Sequence, residues 1–75
     1  MDQKVEYVIQ KTVGDTVEYW SFDTDFYPYW TSVFLHATRF LTVEKAKGML
    51  GTYPDMLESS EKAEIVEVTC TLKIL

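Results

Sequence analysis

With 75 residues, 47% of them hydrophobic and 15% aromatic, the chain holds one domain and is neither disordered nor low in complexity. It is too short for a cofactor domain beside a substrate domain, and a folded chain of this size hides only about 60% of the surface its unfolded form exposes. Twelve acidic residues against seven basic ones give a net charge of −5, a field that disfavours direct nucleic-acid binding and suits a partner with a basic surface.

Residues 4–11 read as a strand, because Val5, Tyr7 and Ile9 alternate with Lys4, Glu6 and Gln10 and only Val8 breaks the pattern. Gly14-Asp15 is a Gly-first pair suited to a two-residue hairpin turn, and residues 16–22 read as the returning strand. Pairing outward from the turn sets Val13 opposite Thr16, Lys11 opposite Glu18, Ile9 opposite Trp20 and Tyr7 opposite Phe22. One face then collects Tyr7, Ile9, Trp20 and Phe22, and a slip of one residue would scatter them.

Residues 23–31 read as irregular, with Pro28, two Asp and the rings of Phe26, Tyr27, Tyr29 and Trp30. Residues 32–36 fit a helical turn or a strand, and residues 38–41 read as a short third strand. Thr42 is a good N-cap with Glu44 in the first turn, and Val43, Ala46, Met49 and Leu50 recur at helical spacing. Gly51 is the expected stop of that helix. Residues 52–63 form a polar, acidic connection, in which Pro54-Asp55 starts one more helical turn through Met56 and Leu57.

In the last strand Val66, Val68, Cys70, Leu72 and Ile74 line one face and Glu67, Thr69, Thr71 and Lys73 the other, with Ile65 and Leu75 on the polar side. The expected fold is α+β over residues 1–75: a small antiparallel β-sheet made of the N-terminal hairpin, a short third strand and the C-terminal strand, packed by one short α-helix. Few residues remain to cover the sheet's second face, so Val8, Val17, Tyr19 and the loop aromatics are expected to stay partly exposed there.

Little in the sequence points to catalysis or metal binding. His36 has no carboxylate or serine at a suggestive spacing. Asp23-Thr24-Asp25 opens like a calcium loop, but the glycine and the closing glutamate of that pattern are missing. One Cys and one His make a poor zinc set, and the three glycines match no phosphate-binding loop. The expectation is a non-enzymatic protein with no cofactor and no metal. The lone Cys70 rules out an internal disulfide and fits a cytoplasmic, buried and inert thiol. No leader-like or membrane-spanning apolar run is present, so a protein without membrane partners is expected.

Acidic residues come in two runs: Asp15, Glu18, Asp23 and Asp25, then Asp55, Glu58, Glu61, Glu64 and Glu67 with Lys62 alone against them. Such runs are either solvated faces or a docking surface. The stretch from Phe22 to Trp30 mixes rigid rings with carboxylates, and Tyr and Trp anchor many binding sites. These rings either complete a small core or serve a partner. In the second reading Tyr27, Tyr29 and Trp30 are the anchors, and Glu18, Asp23, Asp25 and Glu58 meet basic groups. A homodimer through an edge strand or the uncovered sheet face is the competing form of association.

The segment Ala37-Thr38-Arg39-Phe40-Leu41-Thr42-Val43-Glu44-Lys45-Ala46, with Tyr7-Val8-Ile9 before it and Ile65-Val66-Glu67-Val68 after it, resembles an A-x-R-F-x-T-x-E-x-A pattern of small bacteriophage and prophage proteins. In that resemblance Phe40 plugs the core, Thr42 caps the helix and Ala46 packs close to the sheet. The resemblance implies a protein that binds and blocks a larger host protein, such as a nucleic-acid-binding defence nuclease, as anti-CRISPR proteins do. The moderate charge and the basic cluster of Arg39, Lys45 and Lys47 favour a local acidic patch over charge mimicry of the whole surface.

Overall fold

A computed structural model describes residues 2–22, 27–58 and 60–72. Strands β1 (Asp2–Val13), β2 (Thr16–Ser21), β3 (Tyr29–Thr31) and β4 (Ala63–Leu72) form one antiparallel sheet in the order β3-β2-β1-β4, and helix α1 (Val43–Thr52) packs on it, an α+β fold.

The hairpin register follows the sequence pattern, with Val13 paired to Thr16 and Lys11 to Glu18. Gly14 takes a φ of +61° while no other described residue has a positive φ, so Asp15 stays at negative φ and the turn has the type II′ pattern. A Cβ at Gly14 would meet nothing within 4 Å. The glycine is therefore required by backbone conformation and not by crowding.

Beyond Gln10–Tyr19 the two hairpin strands part, and the expected Tyr7–Phe22 pair gives way to another partner. Phe40 bridges Tyr7 through two backbone hydrogen bonds of 2.8 Å. Nearby, the Thr38 amide donates to the Trp20 carbonyl at 2.9 Å, and the Phe22 amide donates to Thr38 Oγ1 at 2.7 Å. Residues 38–41 are thus a wedge between the splayed strands, not the third strand expected there. The third strand is Tyr29–Thr31, inside the stretch expected to be irregular; Trp30 opposes Trp20 in it. Residues 34–36 resolve the open choice between turn and strand as a 3-10 turn, Phe34–His36.

The α1 N-terminus matches its sequence signal: Thr42 accepts from the Lys45 amide at 3.1 Å, a cap contributing about 1 kcal/mol. The stop does not match. Gly51 lies within the helix, which runs on to Thr52 and gives way at Tyr53, φ −125°. Pro54 is the cause, since its ring disfavours helical backbone at the residue before it. A 3-10 turn, Pro54–Met56, follows as the sequence predicts.

The core joins Ile9, Trp20, Phe40 and Ala46, with Tyr7, Phe22, Trp30, Met49, Leu50, Tyr53, Met56, Ala63 and Ile65 packed against them. Fully burying a side chain such as Ile9 contributes about 1.5–3 kcal/mol. Because Ile9 pairs with Ile65 and Val8 with Val66, the helix-covered face of β4 carries Ala63 and Ile65. Val66 and Val68 lie on the opposite face. This reverses the sequence expectation, which put Ile65 on the polar side. The hairpin's large rings choose the covered face, and the β1–β4 register carries that choice across the sheet.

Candidate binding surface

The residues expected to form one acidic–aromatic patch are divided by the sheet. Trp30 belongs to the packing. Its ring stands edge-on to Trp20 at 5.6 Å, and its indole N–H donates to the Met56 carbonyl at 2.7 Å. The Lys11 ammonium lies over the same ring, 4.6 Å from its centroid.

Tyr27 is on the helix side and 60% exposed. Its ring meets Tyr53 edge-on at 5.1 Å, and its hydroxyl lies 3.4 Å from Asp55 Oδ2. Partial withdrawal from water, followed by the adjacent Asp55 carboxylate, pushes the Tyr27 phenol above its ordinary 10.0. Tyr29 opposes Ser21 in the β2–β3 ladder, so it lies on the other face, where it is 46% exposed. Asp23, Asp25 and Phe26, like Ile74, Leu75 and the Cys70 side chain, lie outside the described residues.

Glu58 lines a polar groove of about 540 Å³ near the hairpin turn, and Glu18 is not part of that lining. At its base is Lys11, buried although charged. Both Glu61 carboxylate oxygens accept from Lys11 Nζ at 3.1 Å, and Glu18 stands 3.9 Å away. Glu61 also accepts from the Glu58 amide at 3.0 Å. That backbone bond, then the Lys11 contact, holds the Glu61 carboxyl below its ordinary 4.5, against a smaller opposing effect of burial. Lys11 is therefore an internal tie between the hairpin and the 58–61 loop. Sequence spacing showed its Glu18 partner but not Glu61, which lies 50 positions away.

A separate group of exposed apolar residues lies on the face opposite α1, while Val5, Val13 and Tyr27 are exposed on the helix side. Tyr19 meets Phe34 edge-on at 5.2 Å, and Arg39 lies over the Phe34 ring at 4.5 Å. Ser21 Oγ donates to the His36 carbonyl at 2.8 Å, fixing the turn against β2. The turn itself buries none of its residues: Leu35 is 83% exposed, and Val33, Phe34 and Val17 are exposed beside it. The sequence signal for this strip was the shortage of residues able to cover the second face. Leu35 itself carried no local signal.

Among the described residues no group of three or more His, Cys, Asp or Glu could hold a metal ion, and no helix is long and apolar enough to cross a membrane. A scan against family models, a search of curated proteins and a search of solved structures each found no match to the chain.

Proposed function

We propose that the chain is a non-catalytic binding protein that blocks a larger host protein, in the manner of phage inhibitors of host defence. The observation carrying this reading is the strip of Val17, Tyr29, Val33, Phe34 and Leu35, exposed on the sheet face opposite α1. Clustered exposed apolar groups mark interaction surfaces, whereas scattered ones are ordinary. Tyr29 and Phe34 supply rigid area at low entropic cost. The net charge of −5 favours a partner with basic groups, such as a nucleic-acid-handling nuclease. Tyr27, Glu18 and Glu58 lie on the other side of the sheet and form no part of this strip. Trp30, packed edge-on to Trp20 and bonded to the Met56 carbonyl, is not part of it either.

The test is expression in bacteria that carry a nuclease-based defence, with phage plating as readout, beside affinity capture at low and high salt. The expected result is restored plating and a single captured defence protein, lost on Leu35→Asp and weakened by salt. Unchanged plating across nuclease defences, or capture indifferent to Leu35→Asp, rejects the reading. The second reading is a self-associating sheet module without inhibitory activity, favoured by the outer edge of β4, with which no described residue pairs.

A further inference from the structure

β4 is the terminal strand of the sheet and is ten residues long, against three for β3 at the opposite edge. Its outward-facing backbone can be identified. Tyr7 exchanges both its amide and carbonyl bonds with Phe40, on the side of β1 away from β4. In an antiparallel ladder, facing residues alternate between bonding each other and turning their polar groups away. Tyr7 and its partner Glu67 are hence a non-bonded pair, and the Glu67 N–H and C=O point out of the sheet. The same holds for Ile65 and Thr69. Among the described residues nothing pairs with this edge.

A groove of about 610 Å³ runs beside the edge, between α1 and β4. Tyr7, Val43, Leu50 and Ile65 give it apolar walls, and Lys47 and Glu67 stand on its lining as opposite charges. Neither charge makes an ion pair with a described residue.

We propose that this edge pairs antiparallel with β4 of a second copy, about a two-fold axis at Val66, to make a continuous eight-stranded sheet. Three points select a second copy as occupant. The outward-facing residues are the odd-numbered ones, and an axis at Val66 pairs Ile65 with the second copy's Glu67, odd with odd, so the hydrogen bonds form in register. That pairing lays each Glu67 across the groove that carries the other copy's Lys47, giving two reciprocal ion pairs. An axis at Glu67 would set two carboxylates directly opposite, which is destabilising. Finally, α1 lies across β1 and β4. With strands about 4.8 Å apart, the two copies of α1 come to about 10 Å from each other, the distance at which helices pack. The groove is then closed by its own counterpart.

The experiment is sedimentation of the purified chain from low to high micromolar concentration, with variants. The expected mass is twice 8.7 kDa. Glu67→Pro removes an N–H that the fold does not use and blocks the edge; it should give a folded monomer by circular dichroism. Lys47→Glu and Glu67→Lys should each weaken the dimer about tenfold or more, and the double exchange should restore it to near the parent affinity. These exposed-charge variants keep the test valid should Glu67→Pro fail to fold. A monomer at every concentration overturns the proposal, even where another protein is found on this edge. So does a dimer that ignores the charge exchanges. Because Leu35 lies on the opposite face of the sheet, its variants separate this contact from the inhibitory strip.

Discussion

Val8 and Ile9 are neighbours in β1 and both are fully buried, yet they belong to opposite faces built in different ways. Ile9 joins Trp20, Phe40 and Ala46 in the core beneath α1. Val8 lies outside that cluster, on the face where Val66 opposes it and where the exposed Phe34–His36 turn sits. The covered face holds large rings in mutual contact, and the open face holds smaller aliphatic groups, the exposed Tyr29 and the edge-on Tyr19–Phe34 pair. Aliphatic alternation alone does not decide which side of a strand becomes core. Ring size in the neighbouring hairpin does.

The sharpest way to break that comparison is truncation on the covered side. Trp20→Ala should cost about 3–5 kcal/mol, the range for a buried Trp. That is a large share of the stability of so small a domain, so thermal melts should show the variant largely unfolded near room temperature. The indole N–H of Trp20 is buried without a partner, so its value to the fold is packing and not hydrogen bonding. Trp30→Ala should cost less, about 2–3 kcal/mol, since that ring is only partly buried. The distinction is informative, because a Trp30→Ala variant that melts like the parent would return Trp30 to the binding surface.

How much of this was legible depends on the range of the interaction that decided it. The hairpin, its register and the Thr42 cap were legible because local residues fix them: Gly14 at positive φ, Lys11 against Glu18, and a hydroxyl three residues before its amide. The wedge at Thr38–Phe40 was half legible. Residues 38–41 look extended, and the backbone is extended enough for Phe40 to bridge Tyr7, but no local feature says that β2 leaves β1 to admit it. β3 was hidden because Pro28 and two nearby Asp read as loop, while the Trp20–Trp30 contact that holds the strand is ten positions distant in sequence. The spread of the expected anchors was hidden for the same reason: Tyr27, Tyr29 and Trp30 are close in sequence, but strand alternation separates Tyr29 from Trp30.

A smaller effect, confined to the covered side, comes from acid. Glu61 is held below its ordinary 4.5 in the folded chain by the Glu58 amide and Lys11. A carboxyl lowered in the folded state contributes stability that is fully present above its unfolded pKa and is lost as the pH falls through its folded one. Chemical denaturation of the parent should therefore show stability falling as the pH drops below that ordinary value. Glu61→Gln should flatten this part of the profile while leaving the hairpin intact. A profile unchanged by the substitution would mean that the Lys11–Glu61 contact does not persist in solution.

The smallest folding effect is expected on the open face, and there the comparison becomes functional. Leu35 is 83% exposed and its turn buries no residue. Leu35→Asp should therefore shift stability by no more than about 0.5 kcal/mol, as substitutions away from packed groups do. A carboxylate there would nonetheless place a charge in the middle of the apolar strip, and desolvating it against a partner is costly. The thermal midpoint should stay at the parent value while binding is abolished. A clear loss of stability would instead mean that Leu35 packs against the chain itself, and that the second face is a minor core left partly uncovered.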